Sequence, residues 1–435
     1  MSSKAKASPT TGSGSPALVP KLRFPEFRNA EAWKPVSLAE ASVPVIERVG
    51  QRKLTPVSIS AGVGFVPQTE KFGRDISGNQ YQLYTLVSDG DFVYNKGNSL
   101  KFPQGCVYQL QNWGQVAAPN VFICFRLKEG YSAKFFNNCF EQNIHGKQLK
   151  KHITSGARSN GLLNISKEHF FGVVIPTPLP AEQQKIADCL SSVDELITAQ
   201  ARKVATLRTH KKGLMQQLFP RQGETQPSLR FPEFQNDAEW VEKQLDQLVE
   251  IHSGGTPSKA NPVFWNGSIP WVSAKDMKRF FLEDAEDHIS TAAVSAGSRL
   301  VPVGTLLLLT RGMTLLKDIP ICVLRREMAF NQDVKALRPN DEVDGLFLAL
   351  MLTGNKQRLL AMVDIAGHGT GKLNTDELKS FKLMLPQPAE QRRIADCLTS
   401  LDDCITAQAQ ELETLKTHKK GLMQQLFPSP EEVAA

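Results

Sequence analysis

Residues 181–220 read AEQQKIADCLSSVDELITAQARKVATLRTHKKGLMQQLFP, and residues 389–428 read AEQRRIADCLTSLDDCITAQAQELETLKTHKKGLMQQLFP. The copies stand 208 positions apart without insertion or deletion and agree at about three positions in four. Apolar residues recur in each with alternating steps of four and three. The first copy places Ile186, Leu190, Val193, Ile197, Val204, Leu207, Leu214 and Leu218 on this seam. The second places Ile394, Leu398, Leu401, Ile405, Leu412, Leu415, Leu422 and Leu426 there. A seam sustained over so many heptads predicts a coiled-coil helix, on the order of 55 Å long at 1.5 Å per residue. Pro180 and Pro388 fit the helix starts, where an N–H is dispensable, and Pro220 and Pro428 fit the stops. Gln200 with Gln408, and Lys211 with Lys419, interrupt both seams. A polar residue there either fixes register or marks where the seam opens to water. Gly213 and Gly421 each cost about 1 kcal/mol relative to alanine, so another chain or element is expected to approach closely there.

Outward from the helices, LRFPEF occurs at residues 22–27 and again at 229–234. The chain is therefore two units in tandem, each with matching ends and an unlike insert of roughly 140 residues. Two such helices in one chain are expected to pack antiparallel in a pseudo-twofold arrangement. The first insert, about 36–175, is strand-rich through YQLYTLVSDGDFVYNKGNS, GCVYQL and NVFICFRL, with a helix near Ala133 to His152. The second, about 244–384, opens with the loop HSGGTPSKANPVFWNGSIPWVSAKDM. Strands follow in RLVPVGTLLLL, PICVLR and VKALRP, with a helix near Gly345 to Met362. Each insert ends in a Gly/Ser/Asn loop and an apolar strand, VVIPTPLP or KLMLPQP. They read as diverged copies of one α+β domain.

A chain of 435 residues with 41% hydrophobic and 22% charged content is an ordinary soluble globular protein of several domains. The net charge of +7 is uneven. Residues 28–175 carry about seven more basic than acidic side chains, and residues 236–385 are about two acidic. The seven cysteines form no CxxC pair, and their odd number fits reduced thiols in a cytoplasm. No zinc spacing occurs. The first residues, rich in Ser, Pro, Gly and Ala without an apolar core, read as a disordered lead rather than an export signal.

Catalytic motifs fail on inspection. Asn261-Pro262-Val263-Phe264 is similar to the loop with which adenine methyltransferases hold their target amine, but Val263 replaces a proline and no glycine-rich cofactor loop precedes it. AGHGTGKLN has Ala366 where a phosphate loop needs its first glycine, and Leu373 where it needs Ser or Thr. Asp364, Glu377 and Lys379 fit a nuclease pattern loose enough to arise by chance. The histidines show neither ligand spacing nor a nucleophile partner.

The polar loops instead hold groups suited to base edges and phosphates. In the first insert these are Asn95, Lys96, Asn98, Ser99 and Lys101, then Lys147, Gln148, Lys150, Lys151, Arg158 and Asn160. In the second they are Thr256, Ser258, Lys259, Lys275, Arg311, Asn331, Gln332, Thr370, Lys372 and Asn374.

A proline-rich strand, AEQ(Q/R)(K/R)IA, a long helix and KKGLMQQLFP, present twice around unlike inserts, resembles the specificity subunit of type I restriction–modification systems. GGTPSK, FWNGSIPWVSAKDM, NKGNS, FNQDV and GTGKLN are similar to segments of that family's target-recognition domains. The resemblance runs from about Lys21 to Pro428, although the first insert lacks the GGTP opening. It implies a lead at 1–20, target-recognition domain 1 at 21–178 and a conserved helix at 179–220. Target-recognition domain 2 then spans 221–386, a second helix 387–428 and a tail 429–435. It implies a cytoplasmic, non-catalytic subunit that binds double-stranded DNA at an asymmetric bipartite site, one half-site per domain. Two methyltransferase subunits would dock on the helices, joined in the full complex by translocase–nuclease subunits. S-adenosylmethionine, ATP and magnesium would belong to those partners and no cofactor to this chain. The rival readings are a coiled-coil scaffold that does not bind DNA, and a self-contained modification or restriction enzyme.

Overall fold

Each repeated passage forms one uninterrupted α-helix, Pro180–Leu218 and Pro388–Leu426. The structure, a computed structural model, describes residues 18–97, 102–153, 163–365 and 369–428. All the apolar seam positions, and the four polar interruptions, are buried or half-buried, while most residues between them are exposed. Within this chain no described element approaches Gly213 or Gly421 closely: a Cβ at either would have no described atom within 4 Å.

The chain divides into two compact units, Met1–Ala201 with Gln410–Ala435, and Arg202–Ala409. Both long helices are shared between the units, cut near their middles. In the first unit Ile186 and Leu190 share a core with Leu426 and Phe427, and Lys419 binds Asp194 at 2.8 Å. The helix segments of that unit therefore run in opposite directions. In the second unit Leu218 shares a core with Ile394 and Leu398, and Lys211 binds Asp402 at 2.6 Å, giving the same antiparallel register. Lys211 and Lys419 are thus ion-paired seam residues rather than points where the seam opens.

The inserts share one strand order. In the first, Lys34–Ser37 pairs antiparallel with Val174–Thr177, closing the insert at its base. Val241–Gln244 and Lys382–Leu385 do the same in the second. A short helix follows the opening strand in each, Leu38–Ala41 or Leu245–Leu248. One sheet then runs in the order Ser42–Pro44, Ile123–Leu127, Phe92–Asn95, Cys106–Gln109, all antiparallel. Its counterpart runs Val249–Ser253, Val334–Pro339, Leu306–Leu309, Ile321–Leu324, with Phe281–Leu282 added at the edge. The other sheet runs Gly64–Pro67, Thr55–Ser60, Gln115–Ala118, Thr85–Ser88, with a parallel central pair. Its counterpart, Asp287–Ile289, Ile269–Val272, Met328–Phe330, Leu300–Val301, has the same parallel centre. The second insert adds a three-stranded sheet of Arg311–Gly312, Gly371–Leu373 and Val363–Ile365.

Leu306–Leu309 is a fully buried strand flanked on both sides, as an unbroken apolar run requires. The helices are shorter than their sequence pattern. The first breaks into Ala133–Glu141 and Ile144–Leu149, because Asn143 takes a left-handed conformation at φ 58°. Asparagine reaches that region more readily than other side chains with a Cβ. The second likewise breaks at Asn355, into Gly345–Gly354 and Lys356–Leu360. The opening loop of the second insert is also more ordered than expected. His252 and Ser253 lie in a strand, and Ile269–Val272 is another. Trp271 is buried there and donates to the Gly255 carbonyl at 3.0 Å.

Candidate nucleic-acid interface and its frame

The two repeated motifs meet in space. Arg23 of the first LRFPEF donates to both carboxylate oxygens of Glu182 at 2.8 and 2.7 Å, and to the carbonyls of Ala30 and Glu31. Arg230 repeats this on Glu390 at 2.8 and 2.7 Å and on the carbonyls of Asp237 and Ala238. A guanidinium fork on a carboxylate supplies two parallel bonds and a fixed orientation. Both glutamates are nearly fully buried. Such a pair is costly to break one-sidedly, because the surviving charge is stranded.

The neighbouring positions repeat too. Lys185 binds Glu26 and Arg393 binds Glu233, each at 3.0 Å. Hydrogen bonding to the backbone, then to these basic partners, holds both carboxyls below their ordinary range. Gln183 accepts from the Ser132 N–H at 2.9 Å, and Gln391 from the Asp344 N–H at 2.8 Å. Ser132 and Asp344 are the N-caps of each insert's helix, Ala133–Glu141 and Gly345–Gly354. One glutamate and one glutamine at the start of each long helix thus fix the motif before the insert and a helix inside it. The sequence displayed both motifs but not their pairing, which spans 159 and 160 positions.

In the second unit, candidates far apart in sequence form one hydrogen-bonded edge. Thr256 Oγ1 donates to Gln332 Oε1. Gly254, two residues earlier, lies against the Phe330 and Asn331 carbonyls, where a Cβ would not fit. The Asp333 carbonyl accepts from the backbone N–H groups of Thr310 and Arg311, at 2.8 and 3.2 Å. Leu373 N–H then donates to Thr310 O at 2.9 Å, and Arg311 stands opposite Lys372 in the small sheet. Thr256, Gln332, Arg311 and Lys372 are exposed and Thr370 is half-buried. Ser258 and Lys259 are exposed on the same loop as Thr256. Met313 and Ile365, 62% and 72% exposed, flank this edge. Sequence reasoning passed over both; their signal is a large apolar residue in a polar, glycine-rich loop.

Three candidates in this unit serve the fold. Asn331 is buried and accepts from the Asp333 N–H at 3.2 Å. Asn374 caps the helix Thr375–Lys379 by accepting from the Asp376 N–H at 3.0 Å. Lys275 sits between Glu286 and Asp287, each at 3.0 Å, and these carboxylates raise its pKa.

In the first unit, Asn95 is buried, donating to Ile59 O at 2.8 Å and accepting from the Gly97 N–H at 2.7 Å. It shapes its turn. Lys96 is half-buried, and its carbonyl accepts from the Leu163 N–H at 2.8 Å. Gln148 is spent on both backbone groups of Val174. Lys147, Lys150 and Lys151 are exposed on consecutive helical segments, Ile144–Leu149 and Lys150–His152. Gln104 connects this region to the strand end: Tyr94 donates to its carbonyl at 2.7 Å and Asn143 to its side chain at 3.3 Å. His145 packs edge-on against Tyr94 and Phe140. Burial pushes its pKa down to about 4. Asn98, Ser99, Lys101, Arg158 and Asn160 lie outside the described residues.

Among the described residues, no group of three His, Cys, Asp or Glu side chains converges as a metal site. No described helix is long and apolar enough to cross a membrane.

Residues 237–417 match the family described as Type I restriction modification DNA specificity domain. The specificity subunit of the Escherichia coli type I restriction enzyme EcoR124I/EcoR124II is 30% identical over 52% of this chain and 55% of its own length. The MjaIX specificity subunit of Methanocaldococcus jannaschii is 29% identical over 41% of each. The chain thus spans about half the length of the curated relatives it matches. A solved type I restriction–modification S subunit from M. genitalium aligns over 94% of this chain and 99% of its own, with TM-score 0.55 and 16% identity. A chain solved in work on complex assembly and conformational transition of the type I R-M system aligns over 92% and 98%, with TM-score 0.56 and 17% identity. These likenesses bear out the resemblance to specificity subunits and place the mixed helix-and-sheet fold with them.

Proposed function

We propose that this chain is the DNA-specificity subunit of a cytoplasmic type I restriction–modification complex, reading an asymmetric bipartite site with one half-site per insert. The observation that carries this reading is a single strand order mounted twice on the same ion-paired frame and presenting different exposed side chains each time. Like readers would favour a palindrome, whereas unlike readers need unlike half-sites. The second unit's edge of Thr256, Gln332, Arg311 and Lys372 holds the donors and acceptors that base edges and phosphates require. The half-buried seams and the Lys–Asp pairs support an antiparallel coiled coil acting as the spacer between readers, in a pseudo-twofold tandem. The exposed faces of those helices would dock two methyltransferase subunits, with translocase–nuclease subunits joining the full complex. The chain would be non-catalytic, leaving adenine methylation with S-adenosylmethionine, and ATP- and magnesium-dependent cleavage, to its partners.

The test is to assemble the purified chain with its methyltransferase subunits and sequence the methylated adenines of exposed DNA. A split site with two different halves is expected, with no methylation by either component alone. Methylation or cleavage by this chain unaided, or assembly without preference for any duplex at stated salt, would refute the reading.

A further inference from the structure

A groove of about 630 Å³ in the first unit lies on the frame, lined in part by the second long helix, and apart from the second unit's candidate edge. Its walls carry Lys21, Lys147, Lys416 and Lys420 above a floor of Met423 and Phe427. All four lysines are exposed. Glu141 also lines the groove, but Lys419 engages it at 3.1 Å. Lys416 meets Glu413 at 2.7 Å in a pair about half-exposed on both sides, which is worth little in water. Gln142 completes the wall, and its Nε2 is buried with no hydrogen-bond partner. Four exposed ammonium groups around one groove attract an anionic ligand.

We propose that this groove binds the phosphate backbone of duplex DNA, carrying the first insert's contact onto the second long helix, outside the bases that insert reads. The proposal rests on the DNA-reading function above and adds to it a site on the repeated frame. Lys147 is followed along its helical segment and the next turn by Lys150 and Lys151, also exposed. A row of positive charge passing from insert to helix matches a polyanion with one charge per roughly 1.7 Å of axis. A single acidic side chain of a protein partner would leave most of that row unused. The second unit keeps part of this charge, with Arg208 and Lys212 at the positions of Lys416 and Lys420. It differs at Ser228, which stands where the first unit has Lys21, and in the uncharged helix Gly345–Gly354, where a Cβ placed on Gly354 would lie 3.4 Å from Phe219, the counterpart of Phe427.

The experiment uses the full chain assembled with its methyltransferase subunits, carrying Lys147→Gln, Lys416→Gln and Lys420→Gln singly and together. Binding to a duplex bearing the site and to an unrelated duplex is titrated with salt. Each substitution should lower the slope of log affinity against log salt by about 0.9, and weaken both duplexes by the same factor. Lys212→Gln, the second-unit counterpart of Lys420→Gln, should leave the slope unchanged. A triple variant with the unaltered slope on both duplexes overturns the groove. So does a variant that loses its methyltransferase subunit in sedimentation while keeping the slope, which would assign the groove to an acidic protein segment. Wild-type complex that fails to prefer its site refutes the function proposed above, and the unrelated duplex still tests the groove in that case.

Discussion

Arg23 clasps Glu182 in the first unit and Arg230 clasps Glu390 in the second with the same pairs of distances, yet the surfaces mounted on these clasps differ in charge, in loops and in apolar content. The first insert carries the basic excess and presents lysines along one helical edge. The second is slightly acidic and builds an extra three-stranded sheet that brings Arg311 beside Lys372. What is alike is what holds the insert, and what differs is what the insert offers. Duplication here kept the mounting and released the surface.

The comparison breaks most severely at the clasp. Arg23→Met leaves Glu182 buried without its counter-charge and should cost about 3–5 kcal/mol, and Arg230→Met should cost the second unit a similar amount. Urea unfolding of each variant measures this. A loss in one unit only would mean that the shared geometry does not carry shared energetics.

The units should part company with pH. His145 is fully buried in the first unit with its pKa lowered to about 4, while His252 and His288 of the second unit are only half-buried. The unfolded chain takes up a proton near pH 6.5 and the folded site does not. The stabilisation is therefore whole above about pH 6.5 and is lost as pH falls toward 4, by up to about 3 kcal/mol. His145→Leu should flatten the pH dependence of thermal unfolding over that window. An unchanged profile would place the acid sensitivity elsewhere.

Smaller and more local is the reading edge. Arg311→Gln and Gln332→Ala should each lower discrimination by about 1–3 kcal/mol, at the second insert's half-site alone. Competition between duplexes altered in one half at a time gives the answer. Equal loss at both halves would show that the edge acts through the whole complex.

Much of this frame was legible because the chain prints it twice. The heptad seam and both ends of each unit could be read by comparing copies, and Leu306–Leu309 declared itself as a buried strand. The clasp was not legible, since nothing local joins Arg23 to a glutamate 159 residues away. The broken helices escaped because Asn143 and Asn355 end a turn without disturbing the apolar pattern. Within the site, side-chain chemistry alone could not separate readers from builders. The amides of Asn95 and Asn331 suit adenine and suit a tight turn equally well, and both close turns. Lys275 has the charge for a phosphate, but Glu286 and Asp287 are folded back onto it.

The division between a shared mounting and separate reading surfaces is tested most directly by exchanging residues 36–175 for the corresponding insert of another specificity subunit and sequencing the adenines methylated by the assembled complex. One half of the site should change to the donor's, with the other half untouched. A change in both halves, or in neither, would contradict it.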